Sequence, residues 1–199
     1  MTDLILASQS SSRRAMLEAA GVPFRAEAAG VDEEAAKLAF QAEGYDGRGL
    51  ADALAELKAV KLSRRYPDAL VLGCDSTVQA SDGALLDKAE SREEARDQLA
   101  ALAGTTHRLT SAAVVALGGA PIWRYVDVAK MTMRPFSDAF LESYLEDEWP
   151  AIGGCVGGYR IEGLGAQLFA RIEGSQFTIM GLPLLPLLDW LRIRGVIQA

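Results

Sequence analysis

Apolar residues in this chain recur in two rhythms. Short unbroken apolar runs, at residues 4–7 and 69–74, have the length and aliphatic content of buried strands. Between them, apolar residues three or four apart mark helices with one face on a core. The pattern predicts a strand at 4–7, a helix at 12–21 ended by Gly21, a strand at 23–29, and helices at 31–44 and 49–67, the last stopped by Pro67. In that last helix Leu50, Leu54 and Leu57 form a stripe with Lys58 beside it. Residues 69–88 read as two strands joined at Asp82-Gly83, a dipeptide suited to a tight hairpin. Ser91 and Glu94 form a capping box opening a helix that Gly104 closes. Residues 107–117 and 122–134 form a hairpin about Gly118-Gly119, and Ser137 caps the helix that follows. Two short strands are expected at 160–163 and 166–172, then a last helix after 181–186.

Strands alternate with helices, but the hairpins require a mixed sheet rather than a parallel one. With 199 residues, no repeat and no low-complexity linker, residues 1–199 read as a single domain with a sizeable core. A composition of 50% hydrophobic and 24% charged residues excludes a disordered chain. The net charge of −7, from 20 basic and 27 acidic residues, speaks against binding a nucleic-acid polymer. It leaves room for a small phosphate ligand held by a few local cations. No uncharged stretch reaches the roughly 18 residues that span a bilayer, and no signal peptide is recognisable. Cys74 and Cys155 lack metal-site spacing and read as buried or incidental thiols, which places the protein in the cytoplasm.

Four segments carry candidate chemistry. In "LILASQSSSRR" a strand runs into hydroxyl residues and a helix start, where backbone N–H groups and the helix dipole favour an anion. Ser8 and Ser10 can donate there, and Arg13 or Arg14 can grip phosphate oxygens. An N-cap serine followed by surface arginines explains the same residues equally well. Asp75 ends the apolar run "ALVLGC", where a carboxylate must face a polar cleft; such a group binds a divalent cation or accepts a proton from water. Asp32 and Glu33 fit the first turn of a helix, and Lys58 and Lys88 are ordinary lysines unless the fold brings them to a phosphate. His107, the one histidine, reads as structural.

In this order and spacing the segments resemble the Maf family of nucleoside triphosphate pyrophosphatases over nearly the whole chain. "SQSSSRR", "VDEE", "ALAELKA", "VLGCDSTV", "LLDK", "HRLTSAAVV" and the closing "GGYRIEGLGAQLF…IEGSQFTIMGLPL" carry the likeness. The resemblance implies an α/β fold with a mixed, curved sheet and two lobes around a central cleft, related to the inosine triphosphate pyrophosphatases. It implies hydrolysis of a nucleoside triphosphate to monophosphate and pyrophosphate with a divalent cation, Mg²⁺ or Mn²⁺. By position, Asp75 becomes the proton acceptor for water, and Glu33 with Asp75 holds the metal. Ser8, Ser10, Arg13, Arg14, Lys58 and Lys88 become the phosphate site, and Ser76 belongs to the base pocket. A homodimer follows by analogy alone.

Three positions depart from the family pattern. Ser11 replaces a proline, "LLDKAES" lacks the proline after its lysine, and Ser76 stands where threonine or glutamine is usual. No charged group is lost. Glu162 takes the place of a glutamine found in members acting on uracil or thymine nucleotides. An ionised glutamate only accepts hydrogen bonds, so the resemblance implies a purine or 7-methylguanine preference unless Glu162 simply pairs with Arg160. An inosine or xanthosine triphosphatase and a non-catalytic nucleotide binder acting in septum formation are the alternative readings.

Overall fold

The computed structural model describes residues 3–198. A seven-stranded mixed sheet, flanked by helices, runs β2 (Arg25–Ala26), β1 (Leu4–Leu6), β3 (Leu70–Gln79), β5 (Thr106–Leu117), β6 (Ala120–Met133), β7 (Phe169–Glu173). The short β4 (Leu85–Leu86) pairs with β3. Only β2, β1 and β3 run parallel; the other pairings are antiparallel. The β5–β6 hairpin turns on Gly118 and Gly119, both at positive φ (58° and 86°), as a two-residue primed turn requires.

Seven α-helices among the described residues accompany the sheet: α1 (Ser11–Ala19), α2 (Glu33–Ala42), α3 (Gly47–Ser63), α4 (Arg92–Leu102), α5 (Asp138–Glu148), α6 (Gln176–Ile179) and α7 (Leu184–Ile193). Four buried clusters make up the core among the described residues, and two are much the larger. One joins β1 and β3 to α1 and α7 through Leu6, Leu17, Leu72 and Leu187. The other lies under α4 and α5 and contains Leu99, Met131, Leu145 and Leu168.

Where the expected elements differ, the cause is local. The helix α3 does bury Leu50 and Leu54, but Leu57 is only half-buried; the inward stripe continues through Ala51, Ala55, Lys58, Ala59 and Leu62. Ser91 accepts from the Glu94 N–H (3.1 Å) as expected, while the Glu94 carboxylate reaches back to the N–H of Glu90 instead of Ser91 (2.8 Å). The predicted strand at 160–163 is absent. That segment folds back as a turn, Gly163 N–H bonding the Arg160 carbonyl (3.2 Å), and passes into a 3-10 helix at Leu164–Leu168. A Cβ on Gly165 would lie 2.5 Å from the Arg160 carbonyl oxygen, so the fold-back depends on glycine there. Strand structure resumes only at Phe169, and the four-residue α6 was not anticipated.

Candidate active site

The cleft originates in the strand β3. One edge of β3 is covered by β5 throughout. Its other edge pairs with β1 at Leu70, Val71 and Leu72 and with β4 at Val78 and Gln79. Residues 73–77 are left without a strand neighbour on that side. The gap opens beyond the carboxyl end of β1, where its parallel pairing with β3 stops, the usual ligand position in α/β sheets. A cleft of about 1240 Å³ lies over it.

Alternation along β3 sends Val71, Gly73, Asp75 and Thr77 to the α3 side and Leu72, Cys74 and Ser76 to the other. A Cβ on Gly73 would lie 2.1 Å from the Ala55 carbonyl oxygen and 2.7 Å from the Ala59 nitrogen. With glycine there, α3 rests directly on the strand and carries Lys58 to Asp75. Lys58 Nζ donates to Asp75 Oδ1 (2.7 Å) and meets Glu33 Oε2 at 2.9 Å. Lys58 is 5% exposed and Asp75 8%. Among the described residues no hydrogen bond reaches Asp75 Oδ2. Glu33 arrives from the first turn of α2, which Asp32 caps through the N–H of Ala35 (3.0 Å).

On the opposite face of β3, Arg13 forms the centre of a polar network. Its Nε donates to the Gly181 carbonyl (2.7 Å), Nη1 to Ser8 Oγ (3.2 Å) and the Cys74 carbonyl (3.1 Å), and Nη2 to Ser76 Oγ (3.0 Å). Ser111 donates to the Thr178 carbonyl (2.7 Å), so the 2.8 Å bond between Ser76 and Ser111 has Ser76 as its donor. The hydroxyl of Ser76 is thereby committed to supporting Arg13. Ser10 caps α1 by accepting from the Arg13 N–H (3.4 Å). Arg14 departs from expectation: it is exposed outside the cleft, beside a shallow depression with Glu18, Val22 and Phe24.

Besides Arg13 and Lys58, the cleft is lined by Lys37 of α2, Lys88 and Arg160. These five cations face seven carboxylates, from Glu33 and Glu34 on α2 to Glu162 at the far end. Lys37 pairs with Asp87; burial lowers its pKa, opposed by the charge of Asp75. Sequence reasoning missed Lys37, Ser111, Thr178 and Gly181. The first lacks any distinguishing neighbour, and the others act on a residue far away in the chain.

At the far end, Arg160 closes on the buried Glu148 through Nε (3.0 Å) and Nη2 (2.6 Å). Glu162 is exposed to the cleft and, among the described residues, forms no ion pair within 4.0 Å, so it is not the partner of Arg160. Below lies Tyr159, bonded to His107 Nε2 (2.8 Å) and edge-on to Phe169 (4.9 Å between ring centres). Burial depresses the His107 pKa to about 4, consistent with a neutral structural imidazole. Both thiols are free. Burial pushes the pKa of Cys74 up to about 11 and raises that of Cys155, leaving neither a thiolate at neutral pH.

Glu33 Oε2 and Asp75 Oδ1 are taken up by Lys58 Nζ (2.9 and 2.7 Å), so the donors left for a divalent cation are the second oxygens of the same two carboxylates. Among the described residues no group of three or more metal-binding side chains converges. Two carboxylates completed by ligand phosphate oxygens suit a hard cation such as Mg²⁺, so the residues fit one that arrives with its substrate. No helix of the described residues is long and apolar enough to cross a membrane.

The fold is a mixed α/β sheet flanked by helices, with a charged cleft at the unpaired stretch of its central strand β3. The profile of the family described as Maf-like protein matches residues 3–193. This chain belongs to the Maf-like protein family. A nucleoside triphosphate pyrophosphatase of Sphingopyxis alaskensis is 54% identical over 193 residues, covering 97% of this chain and 98% of that protein. One of Caulobacter vibrioides is 53% identical over 197 residues, covering 99% and 98%. Among solved structures, a HAM1 protein from Coxiella burnetii matches with a TM-score of 0.45 at 16% identity, over 67% of this chain and 73% of that one.

Proposed function

We propose that this protein is a nucleoside triphosphate pyrophosphatase, cleaving the α–β linkage to release the monophosphate and pyrophosphate. The observation that carries the reading is Asp75: a nearly buried carboxylate at the unpaired edge of β3, with one oxygen fixed by Lys58. Its other oxygen is available to accept a proton from an attacking water. Phosphoryl transfer asks mainly for positioning and charge neutralisation, and Lys58, Lys88 and Arg13 provide fixed positive charge around the polyphosphate. Arg13 contributes largely by shaping the floor, since four of its bonds already go to protein oxygens. Glu33 and Asp75 would hold Mg²⁺ or Mn²⁺, which when bound draws charge from the phosphate oxygens. Ser8 and Ser10 line the turn where the tail lies.

Glu162, free of Arg160, is the candidate determinant of the base. An accepting carboxylate suits a base edge with two donors, as in guanine, and still better a cationic 7-methylguanine. Pyrophosphate release from 7-methyl-GTP, GTP, dTTP and UTP with Mg²⁺ or Mn²⁺ tests both points. Turnover is expected to be fastest with the guanine nucleotides. A preference for dTTP or UTP removes the role given to Glu162. No turnover, with nucleotide still bound, favours the non-catalytic binder.

A further inference from the structure

The five cations of the cleft differ in what the protein offers them. Arg13 and Arg160 are tied to protein acceptors, and Lys58 is fixed between two carboxylates. Lys88 is exposed. Lys37 stands apart: its own side chain is only 19% exposed, while its partner Asp87 is 65% exposed. An ammonium stripped of water loses much hydration, and a solvent-exposed carboxylate returns little of it. A cation so placed at the wall of a polar cleft suits an anion of higher charge.

The helix that carries Lys37 is built to follow such a ligand. Every residue of α2 is at least partly exposed, so packing alone does not hold it. Its site-side anchors are Glu33 on Lys58 and Lys37 on Asp87. These residues are four apart, one turn, and so share one face of the helix. Gly30 and Gly44 bracket α2 at positive φ (63° and 85°), in open surroundings where a Cβ would meet nothing within 4 Å. Asp87 immediately precedes Lys88, so Lys37 is held beside another cleft cation.

We propose that Lys37 is a further polyphosphate-binding residue, paired with Asp87 in the free protein and transferred to the terminal phosphates of the bound nucleotide, drawing α2 over the cleft. The identity of the ligand rests on the pyrophosphatase reading; the placement of Lys37 rests on the geometry of α2. The exchange breaks one ion pair and forms another, with no covalent step.

Two substitutions separate this role from that of a simple strut. Lys37→Gln and Asp87→Asn both abolish the pair, so a strut's structural loss is common to both. Glu90→Gln, which removes a cleft carboxylate without an ion pair among the described residues, sets the change due to charge alone, and the effects below are those beyond it. The binding role requires opposite signs. Affinity for inorganic tripolyphosphate, measured with Mg²⁺ by calorimetry, is expected to fall about tenfold in Lys37→Gln, the usual scale for a charged hydrogen bond. In Asp87→Asn it is expected to rise about two- to fivefold, since Lys37 is released from a partner that is itself largely exposed. Lys37→Arg, which keeps the charge, should remain within about threefold of wild type, and nucleoside monophosphate binding should be unchanged in all three. Circular dichroism confirms that each variant is folded. Weakening in both variants, equal binding by all, or no tripolyphosphate binding by wild type overturns the proposal. The expected signs together with no pyrophosphate release from any nucleotide would defeat the hydrolysis reading and leave this one standing.

Discussion

Arg13 and Arg14 leave the first turn of α1 about 100° apart, as any helical neighbours do. That rotation sends one into the cleft floor and the other to solvent. Nothing in "SSRR" distinguishes them. The distinction comes from Gly181, whose carbonyl receives Arg13 Nε and which is 168 positions away in sequence. Any side chain at Gly181 would crowd this contact, a Cβ lying 3.2 Å from Nε, and its φ of 102° already favours glycine. A lysine cannot reproduce the planar fork of bonds that Arg13 makes. Arg13→Lys is therefore expected to lower kcat/KM for the nucleotide at least tenfold, the scale of about one lost charge-assisted bond. Arg14→Lys should stay within about twofold. Equal effects in steady-state assays would contradict the division of labour.

At the scale of elements, the contact between α3 and β3 determines the site. The small residues Ala51, Ala55 and Ala59 recur every fourth position, and Gly73 meets the last two across the interface. Gly73→Ala is expected to cost about 2 kcal/mol or more in denaturant unfolding, because its Cβ would collide with backbone that cannot rotate away. The displaced helix would also part Lys58 from Asp75, so activity should fall with stability. Unchanged stability would show that α3 is free to retreat. Much at this scale was legible in sequence. Caps at Ser91 and Ser137, the Asp82-Gly83 and Gly118-Gly119 turns, and the alternation of strand and helix all reflect short-range chemistry. Residues 160–168 misled because their order is non-local: Arg160 turns inward to meet Glu148, twelve positions earlier, and the backbone follows. Lys58 reads as a surface lysine in isolation and is buried only because Gly73 admits the helix.

Across the whole molecule, the two larger buried clusters share one sheet, and the gap in the pairing of β3 opens the cleft. The chain is acidic overall, and even the cleft has more carboxylates than cations. A triphosphate carrying a divalent cation remains an anion, so its binding depends on where the cleft cations sit rather than on net charge, whereas an extended nucleic-acid backbone would meet a repelling surface. The central claim is that Asp75 takes the proton from water. Asp75→Asn preserves shape and the bond distance to its neighbours while removing the base, so single-turnover kinetics of this variant with a saturating nucleoside triphosphate test it most directly. The rate of pyrophosphate release at saturating nucleotide and metal is expected to fall at least about a hundredfold; a variant that retains the wild-type rate would contradict the account.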